Sequence, residues 1–158
     1  MAPFRSERRV SFDEPPDRLW AALTEVDGYQ RWWPWLADLE VDGGFDVGAT
    51  WRCQVRPPLP YSVRFALTLQ EVEPPRFAVA TIAGDIEGHA SLDLMPRPGG
   101  GTDLRLASVL QSANRTLRLL ADLGPPVVRF GHDWVLDTGL RQFRERALGS
   151  EGDGERKP

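Results

Sequence analysis

The chain has 158 residues and a formal net charge of −4, a size suited to one domain with its own core. It carries no basic excess to draw it to nucleic acid or to an anionic membrane surface. Its single cysteine, Cys53, excludes an intrachain disulfide and a cysteine-built zinc or iron–sulfur centre. No run of about 18 apolar residues exists to span a membrane. The opening MAPFRSERRV lacks the apolar stretch of a signal peptide. The expectation is therefore a cytoplasmic protein, in keeping with the unpaired cysteine.

The chain opens with alternation from Phe4 to Asp13. Phe4, Val10 and Phe12 share one parity; Arg5, Glu7, Arg9 and Asp13 share the other. That predicts an edge strand with one buried face. Pro15-Pro16-Asp17 then breaks the strand and starts a helix. Its body runs from Arg18 to Val26 with Leu19, Trp20 and Leu23 on one face, and Asp27-Gly28 stops it. Tyr29 to Trp35, YQRWWPW, predicts a second short helix ended by Pro34. Of the six tryptophans, three fall here, at Trp32, Trp33 and Trp35.

A meander of strands follows. Leu39–Val41 is a short strand closed by the turn Asp42-Gly43-Gly44. From Val47 to Val55, Val47, Ala49, Trp51, Cys53 and Val55 face one way. Val63, Phe65, Leu67 and Leu69 repeat the alternation, as do Ile86, Ala90, Leu92 and Leu94, then Leu104, Leu106, Ser108 and Leu110. Another strand is expected over Phe77–Ala83. Turn residues separate these runs, and strands joined by tight turns are antiparallel. From Asn114, Leu117, Leu120 and Leu123 recur at helical spacing behind an Asn N-cap.

Gly124 to Leu148 predicts one long helix, with Pro125 and Pro126 in its first turn and Gly149 as its stop. Arg129, Asp133, Asp137, Arg141 and Arg144 gather on one side, with opposite charges at i,i+4 suited to a solvated face. The other side holds Val128, Gly131, His132, Val135, Leu136, Thr138, Gly139, Gln142 and Phe143. Two glycines inside a helix cost about 1 kcal/mol each against alanine, and a helix that only fills a core would not mix in polar groups. Either a neighbour packs close to the glycines or this face lines a cavity. The tail from Gly149 to Pro158 is polar and glycine-rich and is expected to be disordered. The single domain therefore spans residues 1–148.

Strands in one block with helices at both ends define an α+β protein. The order also resembles the START-like superfamily, known as Bet v 1-like or SRPBCC, and within it the members labelled polyketide cyclase or dehydrase-like. The resemblance rests on Pro15-Pro16-Asp17-Arg18-Leu19-Trp20, Tyr29-Gln30-Arg31-Trp32-Trp33-Pro34 and Val47-Gly48-Ala49. It continues in Val72-Glu73-Pro74-Pro75-Arg76, Gly84-Asp85-Ile86-Glu87-Gly88, Gly101-Thr102 and Arg129-Phe130-Gly131-His132-Asp133 with Gly139-Leu140. It implies a helix-grip fold: a curved antiparallel sheet of six to seven strands around a long C-terminal helix, with two short helices after the first strand. It also implies an apolar cavity between sheet and helix. The superfamily spans carriers, cyclases and co-chaperones, so fold alone does not choose among them.

The expected function is binding of a small, largely apolar ligand, lipid- or polyketide-like, in a cavity above about 300 Å³. The wall would comprise Trp51, Phe65, Leu67, Leu92, Leu106, His132, Val135, Leu136, Gly139, Gln142 and Phe143. His132 is the one candidate for acid–base chemistry; the plainer reading is a partly buried histidine bonded to the backbone. A cyclase, aromatase or dehydratase working through His132 is the enzyme alternative. A protein-interaction module using the tryptophan cluster is the third. Two histidines, His89 and His132, without H-x-H or H-E-x-x-H spacing, predict no metal, and no cofactor motif is present. Neither nucleic acid nor membrane insertion is expected, and a monomer and a homodimer both fit.

Overall fold

A computed structural model of the protein describes residues 4–113 and 125–148. The expected helix over Asn114–Leu123 and the tail at 149–158 lie outside the described residues. The elements are β1 (Phe4–Phe12), α1 (Pro16–Leu23), a 3-10 turn (Val26–Gly28) and α2 (Tyr29–Trp32). Strands β2 (Leu36–Asp42), β3 (Thr50–Val55), β4 (Val63–Glu73), β5 (Phe77–Gly84), β6 (Ile86–Pro96) and β7 (Thr102–Ser112) follow, and then α3 (Pro125–Gln142). A π-helical segment, Phe143–Leu148, completes the helix.

The seven strands form one antiparallel sheet in the order β1-β7-β6-β5-β4-β3-β2. Every neighbouring pair from β2 to β7 is a sequential hairpin. The first two strands therefore stand at opposite edges, and α1 and α2 make the crossing between them. Bulges at Leu36/Asp38 and Leu69/Glu71 shift the register, and an extra residue in one strand bends it. The result is the curved α+β sheet expected of a helix-grip protein.

Several boundaries differ from the sequence reading: α1 ends at Leu23, short of Val26, and β2 begins at Leu36, ahead of Leu39. Helix α2 ends at Trp32, because Trp33 turns to φ −121° and ψ 86°; the ring of Pro34 disfavours helical backbone at the residue before it. Strand β3 starts at Thr50, three residues after Val47, so Val47 lies in the preceding turn and is 64% exposed.

The core fills one end of the concave face. Leu19, Trp20 and Ala22 of α1 and Tyr29 and Trp32 of α2 are buried there with Trp51, Leu69, Ala78, Leu94, Leu104 and Phe143. Edge-to-face rings tie it together, with Phe12 and Trp32 each against Phe143 and Tyr29 against Trp51. Such pairs add about 0.5–1.5 kcal/mol beyond burial. The π-helical winding serves this end. Its wider turn brings Leu148 back beneath Phe143, five residues earlier, and both are buried with Ala147; at 3.6 residues per turn that step would point elsewhere.

The charged side of α3 is not simply solvated. Asp133 and Asp137 accept from Arg8 of β1 at 2.9 and 2.7 Å, so the helix is tied to the sheet edge. Arg129 reaches Asp133 only at 3.9 Å. Ser6 and Arg8 share the parity of Phe4, Val10 and Phe12 and so point at α3. They are the polar members of an otherwise apolar face.

Candidate ligand cavity

The other end of the concave face is not filled. A cavity of about 210 Å³ lies between the sheet and the middle turns of α3. From the sheet side it is walled by Phe4, Val55, Val63, Phe65, Leu67, Ile82, Ile86, Ala90, Leu106, Ser108 and Leu110. From α3 come Gly131, His132, Val135 and Leu136, and from the β3–β4 loop Pro57 and Tyr61. None of these side chains is an acid, a lysine or an arginine.

Of the eleven residues expected in the wall, six are there: Phe65, Leu67, Leu106, His132, Val135 and Leu136. Trp51, Leu92, Gly139, Gln142 and Phe143 are not. Trp51 is held in the core, its indole N–H donating to the Gly44 carbonyl at 2.7 Å. Leu92 packs against the core cluster, and Phe143 is 1% exposed between Phe12 and Trp32. Gly139 gives its carbonyl to the Trp33 indole at 2.9 Å, and Gln142 gives its side-chain oxygen to Trp35 at 2.9 Å.

The inward face of α3 is thus split. Its middle turns meet the cavity; its last turn is a packing seam for the tryptophans. A Cβ on Gly139 would sit 3.2 Å from the Trp35 ring, so the glycine admits the indole. Trp33 and Trp35 stack with centroids 5.6 Å apart, and Trp32 is buried. The cluster's three indoles are therefore committed to anchoring α2 and α3.

Gly131 serves a different neighbour. A Cβ there would stand 2.1 Å from the Tyr61 hydroxyl. The glycine lets a loop tyrosine reach the helix and close one side of the cavity. Burial pushes the Tyr61 phenol above its usual range.

The polar groups here are Tyr61, His132 and Ser108 in the wall, with Ser6 beside them. His132 Nε2 lies 2.9 Å from Ser6 Oγ on β1. Burial lowers the His132 pKa, the neighbouring Arg8 and Arg129 lower it further, and Asp133 opposes them; the ring is therefore neutral at pH 7. Which nitrogen carries its proton decides whether it donates to Ser6 or accepts. Ser6 and Ser108 are direct cross-strand partners. Ser108 is 8% exposed, and among the described residues no hydrogen-bond partner reaches its Oγ. Leaving a buried hydroxyl unpaired costs about 1–3 kcal/mol.

Sequence reasoning missed Tyr61 and Pro57 because they sit in an aperiodic loop. Ser108 carried a signal: it stands mid-strand on the apolar parity of Leu104, Leu106 and Leu110, whereas the other polar residues on that parity, Thr102 and Ser112, end β7. Cys53 is not part of the cavity, and burial raises its thiol to about 11, an inert form at neutral pH. His89 is exposed on the outer face. Among the described residues, no three His, Cys, Asp or Glu side chains come together to hold a metal. No described helix is long and apolar enough to cross a membrane.

A curved antiparallel sheet gripped by a C-terminal helix over a partly apolar cavity defines a START-like, helix-grip protein. Solved structures share this architecture. A protein from Thermus thermophilus has 15% identity and a TM-score of 0.78, covering 93% of this chain and 99% of its own. A START superfamily protein from Mycobacterium smegmatis has 12% identity and a TM-score of 0.71, covering 92% and 97%. The Zhui aromatase/cyclase from Streptomyces sp. R1128 has 16% identity and a TM-score of 0.69, covering 93% and 98%. At such identities the likeness shows the fold. The sequence itself matches, over residues 3–148, the family described as polyketide cyclase / dehydrase and lipid transport, and the chain belongs to that family. A comparison with curated proteins gives no match.

Proposed function

We propose that the protein binds a small, largely apolar molecule in the space between the sheet and the middle turns of α3. The observation that carries this reading is the 210 Å³ cavity with an uncharged, mainly aliphatic and aromatic wall. Burial supplies the affinity at about 25 cal/mol per Å² of apolar area. The volume falls below the roughly 300 Å³ expected from the sequence and so corrects the expected size of the ligand. It exceeds the roughly 150 Å³ that accommodates benzene and falls short of the roughly 300 Å³ of a drug-sized pocket. A one- or two-ring molecule fits the described space; a whole lipid or a long polyketide chain requires α3 or the Tyr61 loop to move.

Ligand-observed NMR with toluene tests this, using Ala90→Leu, which fills the cavity from β6, as the blocked control. Saturable binding to the wild type that the folded Ala90→Leu protein has lost is the expected result. No saturable binding of toluene or ethylbenzene to the wild type would overturn the reading.

The position of His132 favours one further reading, acid–base catalysis on a ligand of the cyclase or dehydratase type. A neutral imidazole on the cavity wall is ready to take a proton. Under that reading His132→Ala removes turnover of a polyketide-like substrate while binding survives; under the carrier reading it changes affinity modestly.

A further inference from the structure

The orphaned hydroxyl of Ser108 says more about the ligand than the cavity's shape does. An apolar molecule alone would leave Ser108 Oγ as unsatisfied as it is now. Removing a hydroxyl from a purely apolar wall would cost the fold nothing, yet one stands here on the central parity of β7, opposite Ser6. Ser6 is itself committed to His132 at 2.9 Å, so of this serine pair Ser108 is the one left to meet a guest. Its cross-strand partner on β6, Ala90, and its neighbours along β7, Leu106 and Leu110, are apolar.

The absence of charge narrows the guest further. No lining residue is a lysine or arginine, and Arg8, on the inward parity of β1, is held by Asp133 and Asp137. A carboxylate or phosphate in the cavity would be buried without a counter-ion, which is strongly unfavourable. A hydroxyl or carbonyl oxygen needs no counter-ion and supplies the bond that Ser108 lacks.

We infer that the ligand of this cavity is a one- or two-ring apolar molecule bearing a single uncharged oxygen function, which hydrogen-bonds Ser108 Oγ. Ser108 is then the residue that sets the ligand's orientation and its preference over plain hydrocarbons. This rests on the ligand-binding reading above, and the test separates the two.

Dissociation constants are measured by ligand-observed NMR for two matched pairs, p-cresol against toluene and acetophenone against ethylbenzene. Each pair is measured on the wild-type protein and on Ser108→Ala. After correction for the probes' own water-to-hydrocarbon transfer, the oxygenated member of at least one pair is favoured by the wild type. Ser108→Ala reduces that preference about threefold to tenfold, the worth of one neutral hydrogen bond, and leaves the hydrocarbon's affinity unchanged or improved. Thermal unfolding of the ligand-free proteins is the second readout: with no internal partner to lose, Ser108→Ala melts no lower than the wild type. If hydrocarbons bind but both pairs keep the same ratio in Ser108→Ala, the oxygen preference is wrong and ligand binding stands. If no probe binds either protein, the ligand-binding reading itself fails. If Ser108→Ala melts well below the wild type, Ser108 already has a structural partner and the inference is overturned.

Discussion

Gly131→Ala is the sharpest test of how α3 meets the cavity. In an isolated helix the change would stabilise by about 1 kcal/mol. Here the new methyl would stand 2.1 Å from the Tyr61 hydroxyl, 3.2 Å from that ring's Cζ and 3.3 Å from Leu59 Cδ1. To reach an ordinary contact near 3.5 Å the hydroxyl must retreat by about 1.4 Å. A tyrosine ring cannot bend, so the whole side chain swings or α3 lifts. Overpacking of this kind costs about 1–3 kcal/mol, which outweighs the helical gain. The net loss of about 1 kcal/mol lowers Tm by roughly 2–4 °C in a chain of this length. Tyr61→Phe removes the oxygen and leaves only the contacts at 3.2 and 3.3 Å. In that background Gly131→Ala becomes neutral or stabilising, and the double-mutant cycle gives a coupling of about 1–3 kcal/mol. Thermal and urea unfolding of the four proteins measure it. Should Gly131→Ala raise Tm equally with Tyr61 and with Phe at position 61, Tyr61 does not abut the helix and this wall of the cavity is misassigned.

Two other predictions concern the attachment of α3. Arg8→Met keeps the side-chain stem but removes the ion pairs to Asp133 and Asp137, so stability falls by about 1 kcal/mol. Wild-type stability should also drop between low salt and 0.5 M NaCl by more than that of Arg8→Met; identical salt dependence in urea unfolding would remove the role given to Arg8. His132 has a folded pKa lowered from 6.5, chiefly by burial, so protons bind the unfolded chain more readily. Its contribution is present in full above pH 6.5 and is lost as pH falls through the lower folded value. The stability difference between wild type and His132→Gln should therefore shrink from pH 7.5 towards pH 5, and a difference independent of pH refutes the buried neutral imidazole.

Most of the architecture was legible because alternation and turn residues are local signals. Val63, Phe65, Leu67 and Leu69 declare a strand and its inner face without reference to the rest of the chain. The inward face of α3 was also legible, since helical periodicity groups Gly131, His132, Val135 and Leu136 with Gly139, Gln142 and Phe143. What periodicity cannot tell is where along that face the partner changes. The division comes from where the tryptophans at the end of α2 and after it land: Trp33 and Trp35 take Gly139 and Gln142 and leave Gly131 to Leu136 for the cavity. Trp51 and Leu92 were placed in the wall for the same reason. Parity assigns a residue to the concave side, but its position along the strand decides between core and cavity. Ser6 and Arg8 were readable as polar residues on an apolar parity. Their roles became clear only when β1 was set beside α3.

The seating of β1 also governs the order in which the molecule can be assembled. It pairs only with β7, and its side-chain bonds to Asp133, Asp137 and His132 span 125, 129 and 126 residues of sequence. During synthesis β1 waits, unpaired, until β7 has been made, and its ties to α3 wait longer still. Closing so long a loop slows folding, and a solitary edge strand invites the wrong partner in the meantime. Arg5, Glu7 and Arg9, on the outward parity of β1, give the waiting strand charges that discourage such pairing.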